Sequence, residues 1–170
     1  KAHFRTVVCV TGQHKEMLDS CLNDFNVTPN YNLNVMTENQ SLSSLTGSCI
    51  AKISEIIAQE KPDLVLVHGD TTTAFAAAVS AFYQGIEIGH VEAGLRTNNL
   101  KSPFPEEFNR QIIGKLATLH FTPTYSSRDN LLSEGVNSSF IYVTGNTVID
   151  ALKFQLNEIL SKQHLRDKVK

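Results

Sequence analysis

Asp70, Glu92 and Glu106 are three carboxylates that close three successive segments, all expected to end on one edge of a sheet. Asp70 lies in His68-Gly69-Asp70-Thr71-Thr72-Thr73, and Glu92 lies in Gly89-His90-Val91-Glu92-Ala93-Gly94-Leu95-Arg96-Thr97. Both follow short apolar runs that read as buried strands. Glu106 follows the Pro-punctuated loop Ser102-Pro103-Phe104-Pro105 and opens a helix. Acids gathered at strand ends, beside hydroxyls and an arginine, are what proton transfer at a neutral carbon needs.

Each signal has a plainer reading. Asp70 before three threonines reads as a helix N-cap, or as a base or acid beside hydroxyls and helix-start amides that hold phosphate or sugar, Thr71 among them. Glu92 has no capping role at the end of an apolar strand. Its plain partner is Arg96 in an ion pair. Glu106 and Glu107 sit in a helix first turn, where carboxylates favour the dipole, and Arg110 one turn on suits a pair with either. His14, His68 and His90 are ligand or base candidates that singly read as hydrogen-bonded strand-end histidines. Gly145-Asn146-Thr147 reads as a turn and cap that also presents amides to an anion. Together with Thr11-Gly12-Gln13-His14 and Thr122-Pro123-Thr124, these polar strand ends mark one ligand site outside the carboxyl edge of an open sheet.

The elements that position them alternate. Strands are expected over residues 5–10, 63–68, 86–91, 119–122 and 140–143, with a short one near 33–36. Most are continuous apolar runs, which suit a parallel sheet covered on both faces. Ser41 caps a helix running to about Glu60 with the stripe Leu42, Leu45, Cys49, Ile53, Ile56 and Ile57. Phe75, Val79 and Phe82 line one side of the alanine-rich helix after Asp70. Further stripes are Phe108, Ile112 and Leu116 after Pro105, and Val148, Ile149, Leu152, Leu156 and Ile159 near the end. The β-α-β-α order predicts an α/β domain with a doubly wound parallel sheet.

Composition narrows the function. A net charge of −2 and no basic run argue against a nucleic-acid face or an acidic-lipid surface. No apolar stretch is long enough to cross a bilayer. Cys9, Cys21 and Cys49 form no C-x-x-C pair, two of them fall on apolar faces, and they read as reduced core residues of a cytoplasmic protein. Neither G-x-G-x-x-G nor G-x-x-x-x-G-K-[ST] occurs, so the dinucleotide and P-loop fingerprints are absent.

The strings HGDTTT (68–73), GHVEAGLRT (89–97), SPFPEEFNRQ (102–111), TGNTVIDAL (144–152) and VTGQHKEML (10–18), in this order and spacing, closely resemble the non-hydrolysing UDP-N-acetylglucosamine 2-epimerases. The resemblance implies a Rossmann-like sheet forming one half of a glycosyltransferase-B-like, two-domain architecture. It implies interconversion of UDP-GlcNAc and UDP-ManNAc without metal or cofactor, by elimination of UDP to a 2-acetamidoglucal and re-addition after proton exchange at C2. Asp70, Glu92 and Glu106 match the family's catalytic carboxylates, with base and acid unassigned. Gln13, His14, His68, Thr71, Arg96 and Asn146 are the expected substrate- or effector-binding residues, Gln13 and His14 at positions that contact an activating UDP-GlcNAc in some bacterial members. Asn39 stands where some members have Arg, and Glu16 where they have Gln.

The resemblance also implies a homodimer, a UDP-sugar substrate, and a place in bacterial polysaccharide biosynthesis. Members carry a strand, a Gly-Thr-Arg-Pro-Glu loop and a helix ahead of this segment, and a second, UDP-binding domain after it. Residues 1–160 are therefore expected to be an N-terminal domain lacking its first strand and helix, inactive alone, with 161–170 a charged tail. With that central strand missing, strands 5–10 and 63–68 must close up or leave a gap. Three other readings stand beside this one: a nucleotide-sugar-binding or regulatory domain, a 2-epimerase of a modified UDP-sugar, and a metallophosphoesterase. The last is disfavoured because Thr147 follows Gly145-Asn146 where that class has His.

Overall fold

A computed structural model describes residues 3–12, 15–37 and 39–161. Strands and helices alternate: β1 (Cys9–Val10), α1 (Lys15–Asp24), β2 (Tyr31–Asn32), α2 (Leu42–Glu60), β3 (Leu64–His68), α3 (Thr72–Tyr83), β4 (Glu87–Val91), α4 (Glu106–Leu116), β5 (Leu119–Thr122), α5 (Tyr125–Ser133), β6 (Ile141–Val143) and α6 (Thr147–Ser161). β3, β4, β5 and β6 form a four-stranded, all-parallel sheet in that order, and β1 pairs with β2 in a separate parallel ribbon. This is the parallel-sheet α/β arrangement the alternation predicts, and the Rossmann-like form the resemblance implies. Because the strands follow one another across the sheet, crossovers of the usual right hand place α3, α4 and α5 on one face.

The core lies between that face and the helices. Val67, Ile88 and Ile113 meet Ala74, Ala76, Ala78 and Ala81 of α3 and Leu45, Cys49, Ile53 and Ile57 of α2. Ser41 caps α2 as expected, its hydroxyl accepting from the Ser44 amide. In α3 the alanines are the buried side, while Phe82 is exposed and Phe75 and Val79 are only partly covered. Small side chains let α2 and the sheet approach the α3 backbone closely, so the bulky stripe turns outward. In α4 the buried positions are Glu107, Asn109, Ile113 and Gly114 rather than the Phe108, Ile112, Leu116 stripe, because that helix faces a polar site.

Several expectations change. The opposite sheet face is open among the described residues: Leu66 is 61% exposed, with Leu64 exposed on the same strand and Tyr142 exposed on β6 at the other edge. The continuous apolar run of β3 therefore does not signify burial on both faces. β1 and β3 belong to different sheets, so a gap remains, bridged by the Thr11 and Thr73 hydroxyls at 2.9 Å. β1 is shorter than 5–10, and β2 falls at Tyr31–Asn32, before 33–36. α6 forms, but none of its stripe is buried; it touches the turn after α1 through the Phe25–Phe154 ring pair, centroids 5.5 Å apart. Of the cysteines only Cys49 is buried, while Cys9 and Cys21 are exposed and free. The charged tail falls in 162–170, outside the described residues. Among those described, no helix is long and apolar enough to cross a membrane.

Candidate active site

β3 and β4 run in register, with His68 opposite Val91, so the turns that follow them are neighbours. The Gly69 amide donates to Val91 O at 2.9 Å. Gly69 has φ +68°, and a Cβ there would lie 3.3 Å from Glu92 Oε2. The absence of a side chain at Gly69 thus leaves room for the Glu92 carboxylate. Glu92 itself takes φ +66°, a left-handed conformation that a residue with a Cβ adopts at a cost. Strain held at a strand end beside polar groups is typical of functional positions. His68 Nε2 lies 3.4 Å from Glu92 Oε2.

Asp70 is not the cap of α3. Thr71 is, with its hydroxyl accepting from the Ala74 amide. The Asp70 carboxylate instead reaches α4, where Arg110 Nη2 lies 2.5 Å from Oδ2. Asn109 Nδ2 donates to Asp70 O at 2.8 Å. These two bonds dock the start of α4, and with it Glu106 as first residue of the helix, onto the turn carrying Asp70. The three acid-bearing segments therefore meet at the carboxyl edge of β3 and β4. Asp70 and Glu92 side chains are 23% and 33% exposed, so both remain open to a ligand.

His90 supports the site from below. It is fully buried, and its ring Nε2 donates to Gly69 O at 2.8 Å, while Nδ1 has no partner among the described residues. Burial holds its pKa down to about 4, so the ring is neutral at neutral pH and serves as a strut. The unfolded chain takes up this proton below about 6.5, so folding weakens as pH falls from 6.5 towards 4 and the loss saturates below that. Urea titrations of the chain across this window are expected to show up to about 3 kcal/mol of pH-dependent loss from this group. His90→Gln should flatten the slope; an unchanged slope would contradict the assignment.

Arg96 differs from both expectations for it, as a ligand-binding residue and as the partner of Glu92. Its side chain is 1% exposed and forms a bidentate pair with Glu134, Nε to Oε1 at 2.6 Å and Nη2 to Oε2 at 2.9 Å. Hydrogen bonding from Arg96 holds the Glu134 carboxyl below its usual range. A Cβ at Gly114 would sit 2.9 Å from Arg96 Nη2, so that glycine makes room for the guanidinium. The pair ties the loop after β4 to the end of α5. Arg96→Met leaves Glu134 without its close partner and is expected to destabilise the chain by about 3 kcal/mol, read as a drop in urea midpoint. A wild-type midpoint would show the pair to be dispensable.

Asn146 caps α6, its Oδ1 accepting from the Val148 amide at 3.0 Å, and lies two strands away from Glu92. Gln13 and His14 lie outside the described residues. Glu107 and Asn109 are site residues that the sequence reading did not assign: both are buried polar groups bonded to the acid-bearing turns. Neither falls on the Phe108, Ile112, Leu116 stripe, so the apolar pattern carries no signal of them. Among the described residues, no cluster of His, Cys, Asp and Glu is arranged to hold a metal ion.

A family profile described as UDP-N-acetylglucosamine 2-epimerase matches residues 1–170. The chain is 54% identical over 162 residues to a UDP-N-acetylglucosamine 2-epimerase of Campylobacter jejuni, covering 95% of this chain and 42% of that protein. It is 52% identical over 166 residues to the Escherichia coli K12 enzyme of the same name, covering 98% and 44%. The crystal structure of UDP-GlcNAc 2-epimerase from Neisseria meningitidis bound to UDP-GlcNAc superposes with a TM-score of 0.94 at 48% identity, over 99% of this chain and 45% of that one. The chain thus spans less than half the length of the relatives it matches.

Proposed function

The chain belongs to the UDP-N-acetylglucosamine 2-epimerase family, and we propose that it is the acid-bearing N-terminal part of an enzyme that interconverts UDP-GlcNAc and UDP-ManNAc. The observation that carries this reading is the junction of the Asp70, Glu92 and Glu106 segments at one strand edge, locked by Asn109 and Arg110. One carboxylate removes the proton from C2 as the C1–O bond to UDP breaks, leaving a 2-acetamidoglucal. Another returns a proton to C2 on the opposite face, and UDP re-adds at C1. The third orients its neighbours or balances charge developing at C1.

In this reading no cofactor takes part. His68, Thr71 and Asn146 of the described residues, with Gln13 and His14, contact the nucleotide sugar or an activating copy of it. The further length carried by the relatives supplies the second domain, so the 170-residue chain alone is inactive. The complete protein works in the cytoplasm as a homodimer. The test is incubation of the complete protein with UDP-GlcNAc in deuterium oxide. UDP-ManNAc carrying deuterium at C2 is expected. Substrate recovered without exchange or epimer would reject the reading in favour of a binding or regulatory domain.

A further inference from the structure

Behind the three acids, α4 carries a second charged layer. Glu107 is fully buried, and its carboxylate accepts from the Thr97 amide at 3.1 Å, the Asn98 amide at 3.0 Å and Gln111 Nε2 at 2.8 Å. Burial pushes this carboxyl up, but the bonds from Gln111, Thr97 and Asn98, with the Arg110 charge, outweigh it and hold it below its usual range. Three N–H donors therefore already satisfy the Glu107 anion. Arg110 spans the space between the two layers, with Nη1 3.4 Å from Glu107 and Nη2 2.5 Å from Asp70.

The Arg110 side chain is 13% exposed, and its Nε is buried without an acceptor among the described residues. Two carboxylates, one behind and one in front, thus set where the guanidinium points. On Asp70 the contact falls on Oδ2. A short carboxylate clamped by one oxygen presents the other in a fixed direction, and the rigid arginine fork fixes it better than a lysine would.

We propose that Arg110 and Glu107 are positioning residues of this site: Arg110 holds Asp70 by Oδ2 so that Oδ1 faces the reacting sugar carbon, and Glu107 anchors Arg110 from the protein interior. The inference rests on the reading of Asp70 as a catalytic acid–base group. Neither residue touches the substrate; both act through Asp70. Removing the clamp misaligns one reacting group without removing it, an effect on the order of 100-fold in rate.

The experiment uses the complete protein with UDP-GlcNAc. Arg110→Met is expected to lower kcat about 100-fold with far less change in KM, and Arg110→Lys to recover part of that loss. In the Asp70→Asn background, Arg110→Met should lower the rate by no more than roughly twofold, because its effect passes through the missing carboxylate. Glu107→Gln should lower kcat in the same direction by a smaller factor. Should Arg110→Met melt early, Arg110→Lys and Glu107→Gln carry the same comparison of kcat with KM and the same cycle with Asp70→Asn. Wild-type kcat in the arginine variants, or a full additive loss on top of Asp70→Asn, would overturn the inference while leaving the proposed reaction intact. Wild-type turnover by Asp70→Asn itself, or no epimerisation by the unmodified protein, would instead overturn the functional reading beneath it.

Discussion

Asp70→Asn, Glu92→Gln and Glu106→Gln, each made in the complete protein, are expected to lower epimerisation of UDP-GlcNAc by about 10²- to 10⁴-fold. The amides preserve shape and most hydrogen bonding but neither take up nor release a proton near neutral pH. Their effects should fall on kcat more than on KM, because proton transfer is made in the transition state and not in substrate binding. Glu92 is the most diagnostic of the three. It sits at φ +66°, Gly69 leaves space for its carboxylate, and the side chain close to it among the described residues is His68. Nothing in the packing requires an ionised group there, so Glu92→Gln should fold with a normal melting temperature and still be inactive. Three amide variants with wild-type rates would remove the acids from the chemistry.

Gly94→Ala is expected to have the largest effect on stability. Gly94 has φ +84°, and a Cβ at this position would meet Ser127 O at 2.1 Å and Leu131 Cγ at 3.2 Å. The obstacle is backbone of α5, itself tied to this turn by Asn130 Nδ2 donating to Gly94 O at 2.9 Å. A methyl group therefore adds a backbone clash to the left-handed penalty of roughly 1–2 kcal/mol. A total loss of about 4 kcal/mol or more follows, at the high end for a single substitution. Gly135→Ala is the control: φ is +87° but nothing lies within 4 Å, so only the conformational penalty of about 1–2 kcal/mol applies. Urea midpoints of the two variants separate the terms. Equal midpoints would show that α5 yields to the methyl group.

Much of the frame was legible because it rests on local rules. β3 to β6 follow continuous apolar runs, and the Ser41 cap and the α2 stripe obey helical spacing. α5 went unread because Tyr-Ser-Ser-Arg-Asp-Asn-Leu-Leu-Ser carries no stripe: it buries only Ser127 and Leu131 and starts on the Thr124 cap. The partners of charged groups were least legible. Arg96 reads as a neighbour of Glu92 four residues earlier, yet it turns to Glu134, 38 residues away, across a space that Gly114 leaves open. Arg110 reads as a local partner of Glu106 or Glu107, yet its short contact is with Asp70 from a different crossover. Such pairings depend on which crossovers the sheet brings together, and no spacing along the chain encodes that. The α6 stripe shows the converse: Val148, Ile149, Leu152 and Leu156 have a core-facing pattern but are exposed among the described residues. Periodicity specifies a face and not what covers it.

The central claim is that three carboxylates from separate crossovers surround one hexose ring. A crystal structure of the complete protein with UDP-GlcNAc tests it most directly. The prediction is that C2 of the sugar lies within roughly 4 Å of carboxylate oxygens on both of its faces, drawn from Asp70, Glu92 and Glu106. A sugar ring bound elsewhere, with these three side chains turned to solvent or to other protein groups, would contradict it.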